Sequence, residues 1–224
     1  MVFYSRNNLI SSFLVPAGVY RCELVFLNSR FIASAAPAFS IEEARIFIAQ
    51  AHSLYPDATH HVPAYLIGFG SSVISHCSDD GEPSGTAGRP VLAVLSGSGL
   101  GDVVVVVTRY FGGTKLGTGG LVRAYSESAR QVLSGLPRAR KIPSISFTIT
   151  LPYHWFEKVR SLIISFQGRI TEQDFGSQIT LSAQVPADLF DDFQHHLSNL
   201  THGSLHAVQI YVGELIVPLE ENSA

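Results

Sequence analysis

No run of apolar residues in this chain approaches the ~20 that a membrane-spanning helix requires, which excludes a helical membrane protein. The opening MVFYSRNNLI lacks a basic segment followed by a long apolar stretch, so no export signal is read and the cytoplasm is the expected location. Cysteine is scarce as well. The two present among 224 residues, Cys22 and Cys77, show neither CxxC spacing nor a zinc-ligand pattern, which excludes a disulfide-stapled scaffold and suggests a reducing compartment. Both are read as buried thiols that behave as small hydrophobes. Catalytic signatures are missing too. There is no GxSxG nucleophile, no HExxH zinc pair, no GxxxxGK[ST] loop and no GxGxxG followed by a ribose carboxylate. No catalytic residue and no cofactor are therefore assigned.

With 46% apolar and 15% charged residues the chain is an ordinary globular protein, long enough for one large domain or two modest ones. Its net charge of −3 hides an asymmetry: residues 1–141 carry twelve Lys/Arg and nine Asp/Glu, whereas residues 142–224 carry three and nine. Two units with different partners follow from that split.

The elements are legible from periodicity and punctuation. Strands over 19–26 and 30–36 are joined by a tight turn at Leu27-Asn28-Ser29. A helix runs from Ser40 to about Leu54, because Ser40 and Glu43 have capping-box spacing and Ile41, Ala44, Ile48 and Ala51 form an apolar stripe. Strands at 64–69 and 73–76 follow. The all-apolar run 103–107 reads as a central strand buried on both faces. A second helix over 118–133 places Leu121, Tyr125, Ala129 and Val132 on one side. The segment 134–143, with Gly135, Pro137, Pro143 and several basic residues, reads as a domain linker. Beyond it the pattern restarts as strand, helix, strand, strand, helix, strand over 144–217, the βαββαβ order of a ferredoxin-like domain. The fold class expected is α+β, with domains at 1–136 and 142–218.

Eleven of the nineteen glycines fall between Gly81 and Gly120, eight of them in two blocks, SDDGEPSGTAGRP (78–90) and TRYFGGTKLGTGGLVRAY (108–125). Glycine at that density costs backbone entropy unless positive φ or close approach is needed. In the second block a buried strand ends in Arg109, glycines flank Lys115, and a helix starts at Thr118-Gly119-Gly120 with Arg123 in its next turn. Free amides and fixed cations in one place suit an anion. The phosphate- or nucleic-acid-binding set is therefore Arg109, Lys115, Gly117, Thr118, Gly119, Gly120 and Arg123, with Tyr110 or Phe111 near a base. In the first block Asp79, Asp80 and Glu82 offer three carboxylates for a hard divalent cation. The competing assignments are a helix cap, with Ser84-Gly85-Thr86 also available for it, or an ion pair with Arg89 or Arg109. Whether a metal binds stays open here. His60-His61 are weaker metal or base candidates, since neighbouring histidines point in different directions on a strand.

The segments NSRFIA (28–33), ATHHVPAY (58–65), SDDGEPSGTAGRP (78–90) and VVTRYFGGTKLGTGGLVRAY (106–125) together resemble the IMPACT family, and the two-domain length resembles its bacterial YigZ-type members. The resemblance implies an N-terminal domain of the left-handed βαβ type, shared with a small-subunit ribosomal protein and the fourth domain of elongation factor G. It also implies a ferredoxin-like C-terminal domain similar to domains of that elongation factor. Eukaryotic relatives regulate translation initiation through an additional N-terminal domain that has no counterpart before the first strand here, so a link to translation or RNA is what carries over, not kinase regulation.

Three functions are consistent with these residues. One is a non-enzymatic translation-associated module that binds RNA or the ribosome through the Gly/Lys/Arg loop. Another is a metal-dependent enzyme on a phosphorylated or nucleotide substrate, using the acidic loop. The last is a protein–protein regulator of translation docking through the acidic C-terminal half. None involves a membrane, and oligomeric state is not addressed by the sequence.

Overall fold

The computed structural model describes residues 12–219, which divide into two compact units, 13–139 and 140–217. The described residues include ten strands, five α-helices and three single-turn 3-10 helices. No helix among them is long and apolar enough to cross a membrane.

The N-terminal unit opens with a short strand, β1 (Phe13–Pro16), which the sequence pattern did not reveal; its Leu14 carbonyl accepts from Gly101 N–H at 2.9 Å. β2 (Tyr20–Phe26) and β3 (Ser29–Pro37) form the expected hairpin, with Phe26 opposite Ser29. Leu27 and Asn28 occupy both central turn positions at φ +42° and +67°, the pairing that a two-residue primed turn requires. α1 (Ile41–Leu54) starts at the Ser40 cap, whose hydroxyl accepts from Glu43 N–H at 3.1 Å, while the Glu43 carboxylate reaches back to Phe39 N–H at 2.8 Å. β4 (His60–Ile67) begins four residues earlier than its apolar pattern suggests and so takes in both histidines. β5 (Ile74–Cys77), α2 (Gly88–Ser96), β6 (Val103–Tyr110) and α3 (Gly117–Gly135) complete the unit.

Its sheet has the order β2-β3-β6-β4-β5, antiparallel at every pairing. β6 lies at the centre because Val103–Val107 is apolar on both faces, and all five valines are fully buried. Val103, Val105 and Val107 pack with Phe31, Ala33, Val62 and Ala64 beneath α2 and α3. Val104 faces the other way, toward Ala44 of α1 and Tyr65. Each valine buried in this way contributes about 1.5 to 3 kcal/mol by transfer from water.

In the C-terminal unit β7 (Arg138–Leu151) is followed by α4 (Phe156–Ser165), β8 (Arg169–Phe175), β9 (Ile179–Pro186), α5 (Phe190–Leu200) and β10 (Val208–Pro218). β9 lies antiparallel between β7 and β8, and β10 pairs with β7, which is the arrangement expected of βαββαβ order. Ile145, Phe147 and Ile149 pack with Val159 and Ile163 of α4 and Phe193 and Leu197 of α5. The segment 134–143 does hold the junction of the two units, at 139/140, but it is not an irregular linker. Its first residues finish α3 and the rest begin β7, because Arg138 to Ile142 alternate well enough to extend the strand despite the flanking prolines.

Candidate nucleic-acid interface at the end of the central strand

Strand register decides which residues meet at the end of β6. Arg109 lies opposite Phe31 on β3 and His60 on β4, so these three share the face covered by α2 and α3. Thr108 lies opposite Ile32 and His61 on the other face. The two histidines thus diverge, as strand geometry requires.

Arg109 is only 5% exposed, and its guanidinium is gripped from several sides. Nη1 donates to Glu82 Oε1 at 2.7 Å and Nη2 to Ser29 Oγ at 3.2 Å. The rings of Phe31 and Phe111 each lie 5.5 Å from its Cζ. The same Glu82 oxygen accepts from the Tyr125 hydroxyl at 2.7 Å, and His60 Nε2 stands 3.8 Å from it. Burial, and then the bond to Glu82, push the Tyr125 phenol far above its ordinary pKa, so the hydroxyl remains a proton donor. Arg109 Nε is buried without a partner among the described residues.

The acidic loop supplies more than Glu82. The Asp79 carboxylate accepts from the amides of Gly85, Ala87 and Gly88 at 2.8, 3.1 and 2.8 Å and so caps α2. Burial works against its ionised form, yet these three amides outweigh it and hold the carboxyl below the usual range. Asp80, at φ +45°, accepts from His61 N–H at 2.6 Å through its side chain and contacts His60 Nδ1 at 2.7 Å through its carbonyl. Gly88 is needed because a Cβ there would lie 2.6 Å from the Ser78 carbonyl oxygen. Asp79, Asp80 and Glu82 are thus each engaged with a different internal partner. Among the described residues no group of three or more His, Cys, Asp or Glu side chains is placed to hold a metal. The cap comes from Asp79, nine residues upstream, and not from Ser84 or Thr86, whose hydroxyl donates to the Pro83 carbonyl.

Beyond Arg109 the chain rises to the surface. Gly112 N–H donates to Ser29 Oγ at 3.2 Å, and its α-carbon approaches the Asn28 carbonyl so closely that a Cβ would fall 2.1 Å from it. Gly113, Gly117 and Gly119 meet nothing within 4 Å, so their lack of a side chain is not demanded by packing. Lys115, Gly117, Thr118, Gly119 and Arg123 are exposed and Gly120 is half-buried. α3 begins with no side-chain cap at Leu116, which leaves the amides of its first turn facing solvent. Arg123 stands about 10 Å along the helix axis from Leu116.

The residues read as one set therefore fall into three places. Lys115, Gly117, Thr118, Gly119, Gly120 and Arg123 form an open surface at the amino end of α3. Arg109 lies beneath it, tied to Glu82, and does not present its charge to solvent; the run of valines that precedes it keeps it within the core layer. Tyr110 points to the opposite face, where its hydroxyl donates to Asp57 at 2.9 Å and Arg30 covers its ring at 5.0 Å. Phe111, 47% exposed, is the aromatic next to the loop. Sequence reasoning missed Tyr125, taken only as part of an apolar stripe. The available signal was its hydroxyl, since a tyrosine on a core face needs a polar partner.

With this geometry in hand, the Impact N-terminal domain model matches residues 27–133, which contain the whole Arg109–Glu82–Tyr125 cluster and the loop above it. The IMPACT family member YigZ of Escherichia coli K12 is 37% identical over 202 residues, covering 90% of this chain and 99% of that protein. The chain belongs to the IMPACT family. A Haemophilus influenzae IMPACT family member is 34% identical over 92% of the chain and 100% of its own length, and Bacillus subtilis YvyE is 37% identical over 81% and 83%. A solved structure described as a hypothetical protein superposes with a TM-score of 0.63 at 36% identity, covering 91% of this chain and 99% of that one. Residues 149–204 match a domain of unknown function, DUF1949, so the second half of this IMPACT family chain is also typical of a described domain.

Proposed function

We propose that this IMPACT family protein is a non-enzymatic, translation-associated module that binds RNA or the ribosome through the amino end of α3. The observation that carries the proposal is the uncapped first turn of a 19-residue helix, Gly117–Gly135, flanked by exposed Lys115 and Arg123. Helix amides and the macrodipole favour a phosphate there, and the two cations add a charge-assisted term. Neither cation is in an ion pair among the described residues. Gly113 and Gly117 are required by backbone at φ +82° and +73°, whereas Gly119 has neither a crowding neighbour nor a left-handed φ and keeps the backbone accessible to a phosphate. Arg109 serves as a strut beneath the loop.

The test is fluorescence-monitored binding of a single-stranded RNA and of purified ribosomes over a salt series. Affinity is expected to fall steeply as salt rises, and K115A and R123A each to weaken binding to all sequences about equally, lowering the salt slope by about 1. Absence of salt-sensitive binding, or binding indifferent to both substitutions, would overturn the proposal.

A further inference from the structure

The sheet that contains β7 has five strands, β1, β7, β8, β9 and β10, and two of its outer strands, β8 and β10, are unlike. β8 is guarded as natural edge strands are: Arg169, Glu172 and Asp174 lie along it, and its pairing with β9 is broken by a register shift between Ile170 and Glu172. β10 has none of these devices. It runs eleven residues, carries no internal proline, and its one charged side chain, Glu214, is held by Lys141. Among the described strands only β7 pairs with it.

Most exposed side chains of β10 are apolar, Gln209 and the Lys141-paired Glu214 being the polar ones. Gly213 lies on the same face as Ser144, toward which a Cβ would point at 3.7 Å. The neighbouring Ile145 points into the core beneath α4 and α5. Alternation therefore puts Val208, Ile210, Val212, Glu214 and Ile216 on the helix-bearing face, apolar but for Glu214. Val208, Ile210 and Val212 are nevertheless 62%, 57% and 48% exposed, so the helices leave this row uncovered. A free main-chain edge beside an uncovered apolar row is the combination that a soluble sheet avoids unless another strand completes it.

We propose that β10 is a homodimer edge, at which two copies of this chain pair antiparallel about Gly213 to form one continuous sheet of ten strands. The strand suits a second copy of itself. Gly213 is the midpoint of Val208–Pro218, so pairing about it uses the full strand with no overhang. Ile210 then lies opposite Ile216 of the partner and Val212 opposite Glu214, so no glutamate faces its own copy. Pro218, which lacks an N–H, falls in the last pair, where a missing ladder bond costs least. The uncovered rows of the two copies meet side by side on one face.

Sedimentation of the full chain tests this. At about 100 μM a mass twice 24.3 kDa is expected, with Ile210→Lys weakening association at least about tenfold. Asp174→Ala on the β8 edge is expected to leave the mass unchanged. Because a lysine at position 210 can also disturb folding, a second measurement uses milder changes. Ile210→Cys and Ile216→Cys chains, mixed and oxidised, are expected to cross-link to each other far faster than either does alone. A monomer at that concentration, a dimer indifferent to Ile210→Lys, or no preferential cross-link in the mixture would each overturn the proposal, including the case in which β10 serves a foreign strand.

Discussion

Glu82 and Arg109, 27 residues apart in sequence, meet at 2.7 Å with both side chains almost wholly buried. The pair fastens the acidic loop to the end of the central strand, and Tyr125 fastens the same carboxylate to α3. The open loop at the amino end of α3 thus stands on a rigid base made of three elements. Removing either partner leaves an uncompensated charge in the interior. Glu82→Ala and Arg109→Ala are each expected to cost about 3 to 5 kcal/mol in denaturant unfolding. Glu82→Ala combined with Arg109→Ala should cost clearly less than the sum of the two, since the orphaned charge is gone. Additive losses would show that the ion pair contributes no coupling.

The Tyr125 hydroxyl offers a milder test. Tyr125→Phe keeps the ring edge-on to Phe31 at 5.2 Å and removes one donor from Glu82, which retains Arg109. A loss of about 1.5 to 3 kcal/mol is expected, the range for a hydrogen bond to a charged group. Because Phe preserves the packing, no cavity complicates the result, and an unchanged midpoint in urea would mean that the bond is replaced by water.

His61 makes stability depend on pH near neutrality. Burial first, and then the neighbouring His52, lower its pKa, while its ring contacts Thr108 Oγ1 at 3.1 Å. The folded state therefore binds this proton less readily than the unfolded chain. Stability is full above the unfolded value of about 6.5 and falls as pH drops through it, until the lowered folded value is passed. Unfolding curves between pH 7.5 and 5 are expected to show that decline, and His61→Gln to flatten it. An equal decline in the variant would assign the effect elsewhere.

Much of this architecture was legible because each level of the sequence agreed with the next. Ser40 and Glu43 announced α1, Leu27-Asn28 the hairpin, and the five valines the central strand. The βαββαβ half followed from spacing alone. What was not legible depended on long-range partners. An ion pair between the acidic loop and Arg89 or Arg109 is among the expected assignments, and the structure selects Arg109; what nothing local says is that Glu82 is the carboxylate that meets it, or that the pair is buried. Asp79 likewise reads equally as a metal ligand or as part of a helix cap until the α2 amides are seen to converge on it. The segment 134–143 misled because prolines at both ends resemble a linker, whereas its strand character comes from pairing partners far away in sequence.

Asp79 carries the next expectation. Its depressed pKa means that the cap contributes fully above the unfolded carboxylate range and is lost as pH falls through the lower folded value. Asp79→Ala is expected to cost about 1 kcal/mol at neutral pH and to remove part of the acid-side loss. Unfolding midpoints at pH 7 and pH 3.5 for both proteins check it, and a variant that loses as much stability on acidification as the parent would dissociate the cap from the pH effect.

Two glycines seven residues apart, Gly112 and Gly119, separate the structural from the accessible part of the loop. At Gly112 a methyl group would collide with the Asn28 main chain, which cannot yield without opening the β2–β3 turn, so Gly112→Ala is expected to cost about 2 kcal/mol or more. At Gly119, in the first turn of α3, the same methyl group meets nothing within 4 Å and φ is not in the left-handed region. Gly119→Ala should therefore stabilise the N-terminal unit by about 0.5 kcal/mol through the unfolded chain. If that gain comes with weakened RNA binding, the added methyl has crowded a phosphate at the open helix end; if binding is untouched as well, the ligand reaches Lys115 without approaching the amide of Gly119.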